Sequence, residues 1–275
     1  MENLWKGLKE HKTFRFTTLL VVLLIALVVL APVIAPYNPL EAVMKDANQA
    51  PSMAHLFGTD KLGRDVLSRI LYGGAYSLSS VLALVAIIFC VGTFLGLVAG
   101  YFGGIIDTVI MRIADMMISF PGVILAIAIA GIMGGSLVNA MIALTAVTWT
   151  KYARLSRSMV LKIRKRDFVD AAIVSGGTDS HILWSHIMPN VVPILMITAV
   201  SDIGAMMMEL AGLSFLGFGS QPPAPEWGLM LNEGRQQLQT APWLMVFPGL
   251  AIFISVVIFN LWGDALRDVL DPRDN

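Results

Sequence analysis

The chain has 275 residues, of which 56% are hydrophobic and 14% charged, with a mean hydropathy of +0.75 and a formal net charge of zero. Those proportions exclude an ordinary soluble domain and make lipid the solvent for most of the surface. With no basic tail and no low-complexity run, the sequence offers no electrostatic footprint for nucleic acid.

The first apolar run, 17–35, follows Lys6, Lys9, Lys12 and Arg15. A secretory signal peptide shares that layout, but its apolar core needs only ~7–15 residues, whereas this run reaches the ~20 that cross a bilayer. No small-x-small cleavage site follows it, so an uncleaved first span is expected. The next loop contains HLFGTDKLGRDVLSRILYGGAYSL, residues 55–78. Gly58 and Gly63 permit tight turns, and Asp60, Arg64 and Asp65 are placed to pair locally. A folded element at the start of span two follows, either a structural cap on the bundle or a contact for a soluble partner. Span two is expected at 77–100. It carries Cys90, the single cysteine, which excludes an internal disulfide and reads as a small packing residue. Spans three and four, at 116–133 and 137–150, are separated by the turn GGSLVN, and the fourth runs on toward Lys151.

The segment 151–190 opens with KYARLSRSMVLKIRKRD and is too polar to cross a bilayer. Ala171, Ile173, Val174, Ile182, Leu183 and Ile187 recur at helical intervals on either side of Gly176-Gly177, which predicts two short helices around a turn. Asp179 or Ser180 is the expected cap of the second helix, and Pro189 and Pro193 mark the return to the membrane. Span five follows at 191–211, with Asp202, Met206 and Glu209 at i, i+4 and i+7 on one helix face. Such a stripe of carboxylates and a thioether lines a cation path, or else Met206 fills core space, Glu209 lies at the outer interface and Asp202 pairs with a neighbouring subunit. His11, His55, His181 and His186 all fall outside the expected spans, so a metal cargo would pass as a chelate or a loosely held ion. In SQPPAPEWG, Trp227 suits a membrane interface and fixes the re-entry into span six, 242–262; gating of the mouth is the alternative. Six spans place both termini on one side. Fourteen of the nineteen Lys and Arg residues then share that side, which the positive-inside rule makes the cytoplasm, together with 151–190.

Absent motifs narrow the chemistry. There is no Gly-x-x-x-x-Gly-Lys-Ser/Thr phosphate loop, so ATP is not expected to be bound or hydrolysed by this chain. His-Glu-x-x-His, Gly-x-Ser-x-Gly and Cys-x-x-Cys are also missing, so neither a catalytic residue nor a resident cofactor is expected.

Asp170-Ala171-Ala172, then Gly176, then HIMPN at 186–190 resembles the EAA loop of bacterial ABC importers of the dipeptide/oligopeptide/nickel permease family. The family's usual Glu and Leu are replaced here by Asp170 and Met188. The resemblance extends over residues 55–273 through FGTDKLGRDVLSR, ADMMISFPG, LSFLGFG, PEWGLMLNEGR and GDALRDVLDPR, in that order. Tyr76 departs from it, standing where relatives carry Arg. The resemblance implies an all-α polytopic membrane protein with six transmembrane helices and the type I ABC importer permease fold. Residues 1–76 would form the N-terminal tail, first helix and outer loop, and 77–275 the transmembrane domain with its coupling loop. In that reading Asp170, Ala171, Ala172, Gly176, His186 and Pro189 contact an ATPase subunit, while ATP and Mg are used by the partner. The implied partners are a second homologous permease, two ATPase subunits and an extracytoplasmic substrate-binding protein, in the bacterial cytoplasmic membrane. DIGAMMMELAG resembles the nickel-transport branch, and Leu210 stands where peptide carriers place Glu, so nickel or a nickel chelate is the expected cargo, with dipeptides or oligopeptides the alternative. An ion-driven secondary transporter is the rival class; it would show a repeat between the halves, and none is evident.

Overall fold

The computed structural model describes residues 11–270. These are helical apart from loops and one isolated antiparallel bridge, Thr59 to Asp65. In chain order the main helices are α1 (Lys12–Val29), α2 (Val66–Phe102), α3 (Gly104–Ile118), α4 (Gly122–Met133), α5 (Leu137–Ile163), α6 (Asp167–Val174), α7 (Met188–Phe215), α8 (Trp227–Gly234) and α9 (Trp243–Leu270).

The expected spans are recovered as helices, with three differences. Helix α2 has 37 residues and begins at Val66, well before the apolar run. The cause is Asp65, whose carboxylate accepts from the backbone N–H of Ser68 at 2.8 Å and so caps the helix from outside the apolar segment. The third span is a bent pair, α3 and α4, which meet at 93°. Pro121 lies in the break, and the residue before a proline is pushed out of helical geometry. Helix α5 occupies the fourth position, but Asn139, three threonines and then Lys151 and Arg154 dilute its apolar first half. Among the described residues, four helices are therefore long and apolar enough to cross a membrane, or five if the bent pair counts as one. Cys90 is exposed, on the face that α2 shares with Ile87, Val91 and Phe94, instead of packing inside.

The described residues form two compact units. The first takes residues 11–83, Ala130–Ile142 and residues 201–270; the second takes Leu84–Ile129 and Ala143–Val200. In the first, α9 packs against α1 and α8, and Trp262 Nε1 donates to Thr18 Oγ1 at 3.1 Å. In the second, α2 and α5 approach closely enough for backbone to meet backbone. Side chains at Gly92 and Gly96 would collide with the Trp149 and Ala153 carbonyls, so the glycine spacing of four sets the contact. Ser156 Oγ donates to the Thr93 carbonyl across the same seam at 3.1 Å. Ion pairs Arg157–Asp107 and Arg154–Asp115 join α5 to α3.

Candidate functional site

The polar segment after α5 is held on a core of its own unit. Leu97, Tyr101, Val160, Val169, Ile182, Leu183 and Ile187 form one buried cluster with Val191 and Leu195. Helix α6 places Val169 in that cluster and leaves Phe168, Ile173 and Val174 exposed, the last at 88%. Of the residues singled out in the sequence, Asp170 and Ala171 are exposed and Ala172 is half-buried against the core. Asp167 and Asp170 stand in the first turn, where a negative charge favours the helix dipole. At the other end Gly176 adopts φ +81°, and Gly177 N–H donates to the Ala172 carbonyl at 3.0 Å. A left-handed residue closing the helix in this way favours glycine. Nothing lies within 4 Å of a Cβ placed at Gly176, so a side chain there would project into open space.

The second half of the loop differs from expectation. Thr178 is the cap, accepting from His181 N–H at 3.3 Å, whereas Asp179 accepts the Tyr101 hydroxyl at 2.7 Å and so ties the loop to α2. Arg164 donates to the Tyr101 carbonyl at 2.8 Å, reinforcing that tie. Residues Ile182–Ile187 then form a widened π turn that runs directly into α7. Pro189 is exposed and Pro193 lies inside α7, so neither proline ends the helix. The Asn190 side chain donates to the His186 carbonyl at 2.7 Å, an added bond between α7 and the widened turn. His186 is half-buried, with its ring 5.4 Å from that of His181. The segment is thus a packed shelf presenting apolar Phe168, Ile173 and Val174 beside Asp170, with Trp184 also 45% exposed.

In the first unit, Asp60 and Arg64 do pair, at 2.6 Å, but they belong to a larger buried cluster. Asp60 also receives Arg69 at 2.6 Å, and Glu233 of α8 receives Arg69 at 2.9 Å and Arg64 at 3.2 Å. Two cations and two carboxylates balance, which is the condition for keeping charges out of water. Asp65 does not join them; it caps α2, accepts the Ser68 hydroxyl at 2.7 Å and lies 3.0 Å from His55 Nδ1. Gly63, at φ +73°, makes the turn between Asp60 and Arg64, and a Cβ there would overlap the Val43 carbonyl. Arg69 and Glu233 were missed in the sequence, although each sits in a recognised motif. Nothing in either motif reveals a partner 164 residues away.

Helix α8 was also missed, and it corrects the reading of Trp227. That side chain is 3% exposed, with Nε1 donating to the Ile70 carbonyl at 2.9 Å, so it packs inside the protein and not at a membrane interface. Glu226 caps the helix, accepting Gly228 and Leu229 N–H groups at 2.8 Å each. Burial pushes its carboxyl above the ordinary range, against the opposing pull of those two donors and of the Ser214 and Ser77 hydroxyls. Tyr76 remains 47% exposed.

On α7 the predicted stripe is turned by part of a step. Asp202 and Glu209 are half-buried and each has a partner, Met206 is 5% exposed, and the open positions on this stretch are Ala205 and Met208. The exposed thioether is therefore Met208. Among the described residues no three His, Cys, Asp or Glu side chains converge on a metal-sized site.

A family profile described as binding-protein-dependent transport system inner membrane component matches residues 92–274. The chain belongs to this family. A second profile, the N-terminal TM domain of oligopeptide transport permease C, matches residues 1–51. Among relatives, the dipeptide transport system permease protein DppC of Alkalihalophilus pseudofirmus is 41% identical, over 98% of this chain and 88% of its own. The glutathione transport system permease protein GsiD of Pectobacterium atrosepticum is 43% identical, over 98% and 90%. The nickel transport system permease protein NikC of Escherichia coli is 42% identical, over 94% and 95%. A chain of the inward-facing MetNI methionine ABC transporter shares the fold, with a TM-score of 0.53 at 20% identity, over 72% of this chain and 96% of that one. The family member described here is a permease subunit of the ABC importer type, a multi-pass membrane component and not a catalytic enzyme.

Proposed function

We propose that this permease couples ATP binding in two separate ATPase subunits to the inward passage of a small solute across the bacterial cytoplasmic membrane. It works beside a second homologous permease and receives cargo from an extracytoplasmic binding protein. Both termini and the 151–190 segment face the cytoplasm. The observation that carries the reading is the shelf itself: α6 exposes Phe168, Asp170, Ile173 and Val174 while Val169 and the Tyr101–Asp179 bond lock it to the spans. A push on that face is transmitted to α2 and α7 instead of being absorbed by a loose loop.

Nickel, as the ion or as a chelate, is the proposed cargo. The Asp202-Ile203-Gly204 to Glu209 pattern supports it. A dipeptide or glutathione cargo is the second reading, favoured by relatives of equal identity that are named for those solutes. The test is uptake of radioactive nickel by cells with and without the chain, with excess dipeptide as competitor. Chain-dependent uptake that ignores the dipeptide supports nickel. Unchanged nickel uptake with loss of peptide uptake moves the cargo to peptides and leaves the permease reading standing.

A further inference from the structure

Within the first unit, an apolar cavity of about 300 Å³ lies between α1 and α9. Leu27 of α1, Ile70 of α2 and Ala251, Ile254 and Ser255 of α9 line it, together with Phe57 and Trp227 at the end nearest the loops. Phe57 stacks on Phe247 with ring centroids 4.0 Å apart, which fixes that end. Leu27, Leu250 and Ile254 are each close to half exposed, so the cavity opens on the surface that the spans present to lipid. Its wall is almost free of polar atoms: Trp227 Nε1 is already bonded to the Ile70 carbonyl, which leaves the Ser255 hydroxyl as the unpaired polar group of the lining. Water therefore has few partners there, and a water site needs two to four.

We infer that this cavity binds one hydrocarbon chain of a membrane phospholipid, held between the first and last spans. Two quantities and the position of the opening agree with that occupant. The volume matches about ten methylene groups if each takes roughly the ~30 Å³ of a liquid water molecule. From Phe247 to Ser255 the helix rises about 12 Å, the length scale of a half-chain segment. The opening faces the bilayer, which supplies acyl chains at high concentration, and the loop end is sealed by aromatic rings, so the chain enters sideways. The small side chains of Ala251 and Ser255 keep the room open where α9 otherwise carries Phe and Ile. The bound chain completes the contact of α1 with α9.

The test uses the full chain in vesicles of phosphatidylcholine with ordinary or mid-chain brominated acyl groups, with tryptophan emission as the readout. Trp227 is buried from bulk lipid, so bromine reaches it by way of the cavity. The component of the emission that Trp227→Phe removes is expected to be quenched by the brominated chains. Ala251→Phe, which fills the cavity, is expected to abolish that quenching, whereas Val257→Phe on the exposed face of α9 leaves it intact. Ser255→Leu serves if Ala251→Phe does not fold, as judged by helical circular dichroism. As a second readout, native mass spectrometry is expected to find one phospholipid retained by the native chain and lost from the filled variant. Quenching that survives both filling variants overturns the inference. So does a native chain whose Trp227 is not quenched, the result expected if a second copy or another permease covers the opening.

Discussion

Replacing Arg69 with Met isolates the charge of the buried cluster while keeping most of the side-chain volume. Arg69 is 1% exposed and supplies two charge-assisted bonds, to Asp60 at 2.6 Å and Glu233 at 2.9 Å. Such bonds contribute about 1.5–3 kcal/mol each, and removing one partner of a buried pair costs about 3–5 kcal/mol. Glu233 retains Arg64 at 3.2 Å and its side chain is 14% exposed, so partial hydration places the loss near the lower end, about 3 kcal/mol. That is on the order of a hundredfold in a local opening equilibrium. The opening is read by amide hydrogen exchange over residues 58–66, where Asp60 N–H bonds the Arg64 carbonyl and Val66 N–H bonds the Gly58 carbonyl. Exchange of these amides should accelerate on the order of a hundredfold, while helix content stays constant and the amides of α6 are unaffected. Unchanged protection over 58–66 would show that the cluster is not what holds the loop to α2 and α8.

Three further outcomes follow. Glu226→Gln should remove a pH dependence: an acid raised by burial favours the fold while protonated, so its contribution is present below the ordinary value of 4.5 and lost as pH climbs through the raised one. Thermal unfolding should accordingly show the native chain falling behind the Gln variant as pH rises, and parallel curves would contradict the cause given. Tyr101→Phe removes the bond to Asp179 and should cost about 1 kcal/mol, read as a several-fold faster amide exchange over 179–187; no change would mean that the apolar cluster alone holds the loop. Ser180→Cys should react with a membrane-impermeant maleimide in inside-out vesicles and not in intact spheroplasts, and the reverse pattern would invert the proposed orientation.

Helix positions were legible because apolar runs of spanning length are unambiguous in a chain whose solvent is lipid. Their ends were not. Val66 starts α2 because a single carboxylate at Asp65 caps it, and the helical run that leads into α7 begins at Asp179, ahead of both prolines, because Thr178 caps it and the widened turn Ile182–Ile187 joins it to Met188. Hydropathy sees neither event. The α3–α4 bend was written in ISFPG, yet the apolar residues on both sides read as one span. Asp170 to Gly176 could be placed on an exposed helix with a glycine stop, since capping and left-handed geometry are local. The Asp60–Arg64–Arg69–Glu233 cluster could not, because its two halves meet only in the fold. The close seam at Gly92 and Gly96 was hidden for a different reason: it depends on what faces the glycines, and glycine is common in membrane helices.

The most direct test of the coupling claim replaces Gly176 with Leu in the assembled transporter and measures ATP hydrolysis and solute uptake together in vesicles. The left-handed conformation makes Leu cost about 1–2 kcal/mol, which leaves a folded chain, and Asn, which tolerates that conformation, is the matched control. No other atom of the chain lies within 4 Å of a Cβ at Gly176, so the added bulk falls on the face proposed to meet the ATPase. The expected result is uptake lost in the Leu variant and retained with Asn, while the Leu variant remains inserted and ATP hydrolysis becomes independent of cargo. Full uptake by the Leu variant would contradict the assignment of this shelf as the surface through which ATP drives transport.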